Sequence, residues 1–419
     1  MKEVLKSGPD PARLERDLET LASFRDPSRP GFTRRAFSPW YEQGRSWVDQ
    51  QMSSAGLDVR VDAVGNVIGR RPGKRALPAV MLGSHVDTVD GGGRFDGMVG
   101  VLGAIELARC LEESNTALDH PLEVVSFFAE EPTDFGVSAV GSRAMAGALD
   151  DHLLQQKDPG GQTLAEALGR SGYDPARVPV ARRDPGDIAV YLELHIEQGP
   201  HLERMGKPVG VVRVITGFRR HRFIWSGRPD HAGTIPMGLR RDALAGACES
   251  LLDIESRCRK GAETPLVGTV GKIAVWPNAV NVVPDRVEFI SDIRSPSAEK
   301  LELVCETNAK EARSIAMRRG LGVEVAQITA EAPIQVPDFI RREAAAAVRG
   351  LGLEPVELVS MAGHDANQLA RIVPVGMIFV RCKDGRSHCP EEESSIEDIA
   401  LGVAALLSLV TRLDQKMRN

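Results

Sequence analysis

The chain has 419 residues and a formal net charge of −6, with acidic and basic residues interspersed. This length allows two or three domains around a large core. No basic stripe with interleaved aromatic residues occurs, and the longest apolar stretch, LGVAALLSLV, is too short to span a bilayer. These features argue against nucleic-acid and membrane partners.

The first 21 residues, MKEVLKSGPDPARLERDLETL, combine a polar lead with an amphipathic helix pattern. They lack the apolar core of a signal peptide, so we expect a soluble, cytoplasmic protein. The six cysteines form no CxxC pair and show no regular spacing, which indicates reduced thiols.

The first half of the chain alternates apolar strand-like segments with helical ones. Residues 76–84, 122–129 and 187–196 have strand character, whereas 97–113 repeats apolar residues at helical spacing. Strands that alternate with helices predict an α/β layer with a largely parallel sheet. In such sheets functional groups gather beyond the carboxyl ends of the strands.

From about Gly217 the pattern changes to alternating strands, rich in β-branched residues, and two helices. The predicted strands are 221–227, 265–276 and 281–294, and the predicted helices are 240–259 and 297–319. The αβ pattern then returns, with a helix at 363–372, a strand at 375–380 and a final helix.

The sequence therefore predicts an α/β protein whose catalytic domain is discontinuous, covering 1–216 and 331–419. This domain would hold a mostly parallel, mixed sheet flanked by helices. Residues 217–330 would form an inserted α+β domain that acts as a lid.

Five residues of metal-ligating type stand at predicted strand ends or in the turns beyond them. They are His85 in GSHVDT, Asp96 in GRFDG, Glu131 in FFAEEP, His195 in LELHIEQG and His388 in GRSHCPEE. Three imidazoles and two carboxylates are the usual ligand set of a catalytic zinc or manganese pair. Each motif alone has a structural explanation, but their joint occurrence predicts a two-metal hydrolase.

Two further carboxylates fit this chemistry. Asp87 lies two residues after His85, on the same face of an extended segment, where it can accept the second ring N–H. Glu130 is adjacent to Glu131, so one carboxylate can bind metal while the other serves as general base and then acid. Cys389, directly after His388, is either a metal contact or a plain loop residue.

The inserted segment carries residues suited to substrate recognition. His231 lies in a glycine- and proline-rich loop, and Asn281 and Arg294 belong to one strand-like stretch. A histidine and an asparagine can stabilise a developing oxyanion, and an arginine can bind a carboxylate with two N–H groups. For Arg294 the alternative is an ion pair with Asp292 or Glu288.

Taken together, GSHVDTV, FDGMVGVLGAIE, LELHIEQGP, HAGTIPM, NVVPD and AGHDA resemble the hydantoinase/carbamoylase group of dinuclear-metal amidohydrolases. This group includes N-carbamoyl-L-amino acid hydrolases, allantoate amidohydrolases and β-ureidopropionases. The resemblance runs from about Arg34 to the final helix. It implies two divalent metal ions per subunit, Zn²⁺ or Mn²⁺, with Co²⁺ or Ni²⁺ as alternatives.

The resemblance also implies residue roles. Asp96 would bridge one ion held with His85 and His195 and another held with Glu131 and His388. Glu130 would be the general acid/base, supported by Asp87. The substrate would meet Gln198, His231, Asn281, Arg294, Gly363 and His364. The lid would mediate a homodimer in which His231 and Asn281 reach the partner's active site.

Three positions depart from the family pattern, namely Ile235, Met361 and Arg381, and all bear on the substrate. Arg381 could offer a second positive charge to an acidic substrate. The expected reaction is cleavage of the carbamoyl C–N bond of an N-carbamoyl-L-amino acid. The alternatives are allantoate or β-ureidopropionate hydrolysis, cleavage of N-acyl or aminoacyl amides including dipeptides, and a non-catalytic binding protein that has kept the fold.

Overall fold

The computed structural model describes residues 8–260 and 265–418. Residues 1–7, which belong to the predicted polar lead, lie outside the described residues. The chain forms two compact units. The larger unit contains the chain up to Arg213, Val336–Leu358 and the residues from His364 onward, and the smaller contains Val214–Gln335 and Val359–Gly363.

The described residues form strands whose bounds follow in chain order. They are β1 Asp58–Val61, β2 Val67–Arg71, β3 Ala79–His85, β4 Leu122–Phe127, β5 Ile188–Ile196, β6 Val209–Ile215, β7 Gly217–Ser226, β8 Val267–Trp276, β9 Arg286–Ser295, β10 Gly322–Glu331, β11 Ile334–Gln335, β12 Glu357–Ser360 and β13 Val375–Val380.

The α-helices of the described residues are bounded as follows. They are α1 Pro11–Ser23, α2 Pro39–Ser54, α3 Met98–Glu113, α4 Val140–Met145, α5 Asp151–Leu154, α6 Leu164–Arg170, α7 His201–Arg204, α8 Ala243–Arg259, α9 Ala298–Arg319, α10 Asp338–Gly350, α11 Asp365–Leu369 and α12 Ile396–Lys416.

The main sheet is mixed, with strand order β1-β2-β4-β3-β5-β13-β6-β11 and with β12 paired to β6. Its centre, β4-β3-β5-β13, is parallel, and the pairs at both flanks are antiparallel. Every residue of β3, β4 and β13 is buried, as expected for parallel strands covered by helices on both faces. The predicted α/β class with a mixed sheet flanked by helices is confirmed.

Several helices begin at a capping side chain. Ser395 accepts a hydrogen bond from the backbone N–H of Asp398 at the start of α12, and Asp10 caps α1 in the same way. Helix α3 is buried on nearly all sides, and it packs against β3, β5 and α12. Helices α3 and α12 thus cover the central strands β3, β5 and β13.

The smaller unit contains an antiparallel sheet in the order β10-β7-β9-β8. Helices α8 and α9 pack on it around a core built on Trp225, Phe223 and Phe289. Strand β10, with alternating partly buried residues, was not among the predicted strands of this segment. The smaller unit begins at Val214 and ends at Gln335, compared with the expected 217 and 330, and 359–363 joins this unit as well.

Among the residues that the structure describes, no helix is both long and apolar enough to cross a membrane. All six cysteines are free thiols, in agreement with the prediction from their spacing.

Candidate metal centre

The parallel strands bring three of the predicted ligand positions to one edge of the sheet. Strand β3 ends at His85, β5 carries His195 next to its end, and β4 is followed within four residues by Glu131. Because parallel strands point the same way, their carboxyl ends meet at the same edge. All three side chains are buried.

Asp96 lies between the histidines of this edge, in the turn before α3. Its Oδ1 is 3.1 Å from Nε2 of His195 and 3.7 Å from Nε2 of His85. The following residue, Gly97, has φ +70°, and a Cβ there would lie 2.5 Å from the ring of His85. Only glycine therefore lets the turn pass so close to the imidazole.

The other oxygen of Asp96 faces His388. Nε2 of His388 is 3.1 Å from Oδ2 of Asp96 and 3.2 Å from Oε1 of Glu131. His388 has φ +56°, an uncommon conformation for a residue with a Cβ, and its side chain is about half exposed. This loop conformation turns the imidazole back toward the buried carboxylates.

The structure thus groups the five predicted ligands into two triads that share Asp96. The ligand atoms of His85, Asp96 and His195 lie within 4.8 Å of one another, and so do those of Asp96, Glu131 and His388. Two triads of imidazole and carboxylate donors with one shared carboxylate fit a pair of divalent cations. A third group, formed by Glu193, His195 and His364, shares His195 with the first triad.

The contacts between rings and carboxylates shift the pKa values of both partners. Burial would raise the pKa of Asp96, but His195 and His388 hold it well below its usual range. Hydrogen bonds to Asp96 and then to Glu131 raise the pKa of His388 to about 11. Burial opposes a charged His85 ring, yet the carboxylates of Glu130, Asp87 and Asp96 raise its pKa well above the usual value. The cluster therefore provides the negative environment that attracts cations.

Asp87 holds the segment that carries the paired glutamates. Its Oδ1 accepts from the backbone N–H of Glu130 at 3.1 Å, and its Oδ2 accepts from that of Glu131 at 3.0 Å. Nδ1 of His85 is 3.1 Å from the backbone carbonyl oxygen of Asp87, and 3.6 Å from its carboxylate. The predicted ring-to-carboxylate contact is therefore the longer of the two, and Asp87 chiefly positions Glu130 and Glu131.

Glu130 faces the first triad without belonging to it. Its Oε2 is 3.7 Å from Nε2 of His85, and its side chain is 13% exposed. Burial raises the pKa of Glu130 well above its usual range, and the charges of Asp365, Glu131 and Asp87 add to this effect. A carboxyl group with a raised pKa is suited to take up and return a proton.

Gln198 is bound to the shared aspartate. Its Nε2 donates to Oδ2 of Asp96 at 2.7 Å, which identifies the nitrogen because a carboxylate only accepts. Its Oε1 is buried and has no hydrogen-bond partner among the described residues. Gln198 has φ +56°. A buried acceptor without a donor is unfavourable, so this oxygen is available to a ligand.

His364 lies next to His195 in the larger unit. Its ring centroid is 4.6 Å from that of His195, in an edge-to-face arrangement. Gly363, its neighbour in sequence, belongs to the smaller unit.

His231 and Asn281 lie in two neighbouring loops of the smaller unit. The backbone N–H of Ala232 donates to the carbonyl oxygen of Asn281, and His231 forms an isolated bridge with Val282. Nδ1 of His231 accepts from the N–H of Gly233 at 3.1 Å. A neutral ring that accepts at Nδ1 carries its proton on Nε2, so the exposed side of His231 presents a donor.

Arg294, on β9, is paired within the smaller unit. Its Nε donates to Oδ1 of Asp292 at 2.8 Å, and Nη1 donates to the carbonyl oxygen of Met361 at 3.3 Å. The alternative prediction of an ion pair with Asp292 is therefore observed. Met361, one of the departures from the family pattern, contacts Arg294 through its backbone carbonyl oxygen.

Two other departures are also located. Ile235 is partly buried in the His231 loop. Nη2 of Arg381 lies 2.7 Å from Oδ2 of Asp398, which is buried. The charge of Arg381 is therefore offset within the protein, which weakens the prediction that it attracts an acidic substrate. Cys389 belongs to neither triad of the described residues.

Ser387 and Glu392 were not singled out from the sequence. Ser387 Oγ lies 2.9 Å from Oδ2 of Asp96, and Glu392 accepts hydrogen bonds from the backbone around Asp96. Glu392 stands within the acidic run 391–393, which by itself indicates a solvated loop. The signal available was the position of both residues within five residues of His388.

A mixed α/β sheet with two candidate ligand triads that share one carboxylate is typical of metal-dependent hydrolases. The model of the Peptidase family M20/M25/M40 matches residues 81–412, and this chain belongs to that family. The match includes all five residues of the triads.

Individual relatives resemble nearly the whole chain. The N-carbamoyl-L-amino acid amidohydrolase of Geobacillus stearothermophilus is 41% identical over 404 residues, which cover 96% of this chain and 98% of that protein. A ureidoglycolate hydrolase of Oryza sativa subsp. japonica is 37% identical over 406 residues, which cover 96% of this chain and 84% of that protein.

A crystal structure of an amidase of the hydantoinase/carbamoylase family from Burkholderia multivorans has a TM-score of 0.85 and 35% identity. The aligned residues cover 97% of this chain and 98% of the Burkholderia multivorans chain. The protein is accordingly an amidohydrolase of the hydantoinase/carbamoylase group, and it hydrolyses amide bonds.

Proposed function

We propose that the protein hydrolyses the carbamoyl group of an N-carbamoyl-L-amino acid. Water adds to the carbonyl carbon, the terminal C–N bond breaks and ammonia leaves. The remaining carbamate loses carbon dioxide and yields the free amino acid.

The free oxygen of Gln198 is the observation that carries this proposal. Its Oε1 is a buried acceptor without a partner among the described residues, and its Nε2 is fixed on Asp96. A carbamoyl NH₂ group can donate to such an oxygen, whereas the methyl or methylene group of an N-acyl substrate cannot. A site with an unpaired polar group rejects ligands that leave it unpaired, so Gln198 favours ureido over acyl substrates.

We propose one divalent cation at the triad of His85, Asp96 and His195, and another at Asp96, Glu131 and His388. Zn²⁺ and Mn²⁺ are the first choices, with Co²⁺ and Ni²⁺ as alternatives, since this donor set accepts all four. When bound, such ions would lower the pKa of the attacking water and offset negative charge at the reacting carbonyl.

Glu130 is the proposed general base and acid. Its carboxylate would take the proton of the attacking water and return it to the leaving nitrogen. The buried surroundings that raise its pKa favour proton uptake. Asp87 supports this role because its carboxylate accepts from the backbone N–H of Glu130.

The smaller unit supplies the proposed substrate-recognition groups. His231 would donate from Nε2 to the carbonyl oxygen, with Asn281 from the neighbouring loop, and Arg294 would bind the carboxylate. We also propose that this unit acts as a lid and as the contact of a homodimer, and that Gly363 and His364 contact the substrate.

A second candidate is hydrolysis of another small ureido acid, such as allantoate, β-ureidopropionate or ureidoglycolate. The 37% identity to a ureidoglycolate hydrolase supports it. These compounds share the ureido and carboxylate groups with the first candidate, so the same residues would serve.

A paired substrate test decides between ureido and acyl chemistry. The N-carbamoyl and N-acetyl derivatives of the same L-amino acids, with the three ureido acids, are incubated with protein reconstituted with Mn²⁺ or Zn²⁺. We expect ammonia from a ureido compound, loss of activity on chelation, and a decrease of at least about 100-fold in Glu130→Gln. Cleavage of the N-acetyl series alone would refute the proposal.

A further inference from the structure

We propose that Glu392 is a positioning residue, which aligns the carboxylate of Asp96, shared by the two triads, with the loop that carries His388. The inference rests on the proposed metal centre and adds a residue that is not a ligand. Glu392 is 3% exposed, although it is the middle member of three consecutive glutamates.

One oxygen of Glu392 fixes the backbone before α3. Its Oε1 accepts from the N–H of Phe95 at 2.8 Å and from the N–H of Asp96 at 3.0 Å. A Cβ on Gly93 would lie 2.2 Å from this oxygen, so the glycine allows the carboxylate to enter the turn. The orientation of the Asp96 backbone thus depends on a side chain almost 300 residues later in the chain.

The other oxygen of Glu392 fixes the loop on the opposite side. Its Oε2 is 2.7 Å from Oγ of Ser387, and this hydroxyl is also 2.9 Å from Oδ2 of Asp96. The hydroxyl has one proton and can donate to only one of the two carboxylates at a time. Ser387 directly precedes His388, so Glu392, Ser387 and Asp96 tie the two ligand-bearing loops together.

The two flanking glutamates provide a contrast within the same loop. Glu391 pairs with Arg386 at 2.9 Å, and Glu393 pairs with Lys383 at 2.6 Å, all at the surface. Glu392 instead has two backbone N–H groups and one hydroxyl as hydrogen-bond partners. Burying a carboxylate is costly, and these three hydrogen bonds offset part of that cost while they hold Glu392 between the two ligand loops.

Groups that orient metal ligands contribute to affinity because they remove conformational freedom that binding would otherwise have to remove. Changes to such groups typically lower metal affinity about 10–100-fold. Glu392→Gln should retain the geometry, since its oxygen can accept the same two N–H groups and its amide can donate to Ser387. Glu392→Ala removes all three contacts.

The test measures binding of Mn²⁺ and Zn²⁺ to the metal-free full chain by competition with a chromophoric chelator. We expect two ions per chain for the unmodified protein, and affinity lower by about 10–100-fold in Glu392→Ala. Glu392→Gln should stay within about threefold, and Glu391→Ala should be unchanged. Ser387→Ala, a small change in a partly exposed loop, should weaken one of the two binding steps and leave the other.

Unaltered metal affinity in both Glu392→Ala and Ser387→Ala would overturn the inference. If Glu392→Ala does not fold, the inference is overturned when Ser387→Ala and the unmodified chain bind the metal ions with equal affinity. Hydrolysis is not part of the readout. A chain that binds two ions with this pattern but releases no ammonia would refute the proposed substrate and support the role of Glu392.

Discussion

Asp292 lies two residues before Arg294 on β9, and its carboxylate accepts hydrogen bonds along the Nε–Nη2 edge of the guanidinium. Oδ1 accepts from Nε at 2.8 Å, and Oδ2 accepts from Nη2 at 3.3 Å. With the contact from Nη1 to Met361, three of the five N–H donors are used. One donor on each terminal nitrogen remains, which suits end-on binding of a carboxylate. Oδ2 of Asp292 also accepts from Arg220 at 2.8 Å, so the cluster keeps a net positive charge.

We predict that Asp292→Asn raises the KM for a carboxylate substrate about tenfold, equivalent to about 1.4 kcal/mol, with kcat little changed. The asparagine cannot accept at both positions, so Arg294 loses its fixed orientation. Steady-state kinetics check this. Glu288→Gln, on the same strand, is the matched control and should leave KM unchanged. A fall in kcat without a change in KM would contradict the prediction.

Gln198→Ala should change substrate preference more than overall stability. Loss of a hydrogen bond in a buried site lowers kcat/KM for the carbamoyl substrate about 10–100-fold, whereas the N-acetyl analogue lacks that bond and should lose less. The measured quantity is the ratio of the two kcat/KM values. Ser387→Ala removes another contact to Asp96 and should affect both substrates alike. An unchanged ratio in Gln198→Ala would count against the ureido assignment.

Arg381→Ala should lower stability and spare substrate binding. The change leaves the buried carboxylate of Asp398 without its cation, and the expected loss is about 1–2 kcal/mol, because Arg381 itself is partly exposed. Urea unfolding and KM are measured together. Arg386→Ala, which breaks a surface pair with Glu391, serves as the control. A large rise in KM would revive a role for Arg381 in substrate binding.

Metal uptake by the metal-free chain should release protons. The carboxylates of Asp96 and Glu131 raise the pKa of His388 to about 11. The protonated ring therefore stabilises the metal-free fold fully below its unfolded pKa of about 6.5, and this contribution is lost as the pH rises toward 11.

At pH 8 a bound cation must displace that proton, so we expect at least about one proton released per chain. Calorimetry in buffers with different ionisation enthalpies measures this number. His152→Gln, at an exposed position outside the centre, should not change it. Heats independent of the buffer would show that His388 is already neutral.

The positions of the candidate ligands at the strand ends could be predicted from the sequence because the central strands are parallel. Periodicity locates β3, β4 and β5, and their common direction brings His85, Glu131 and His195 to one edge. The prediction from sequence does not include β10, whose alternating positions are only partly buried and therefore give a weaker pattern.

The supporting contacts were harder to predict because they join residues that are distant in sequence. Asp87 accepts from backbone groups more than 40 residues away in sequence. Glu392 accepts from the backbone N–H of Asp96, which is 296 residues earlier in the chain. In both cases the partner is a backbone N–H group and not a charged side chain, so no pattern of opposite charges in the sequence indicates the contact. The run 391–393 looks like a solvated acidic turn until the fold buries its middle member.

The smaller unit joins the chain through adjacent strands. Val214 on β6 pairs with Gln335 on β11, and the next residues outward, Arg213 and Val336, are hydrogen-bonded through their backbones. The two ends of the insertion are thus about one strand spacing apart, about 5 Å. Evolution can lengthen, replace or remodel such a segment without moving the residues around Asp96. The proposed substrate contacts of the smaller unit can therefore vary independently of the candidate metal centre.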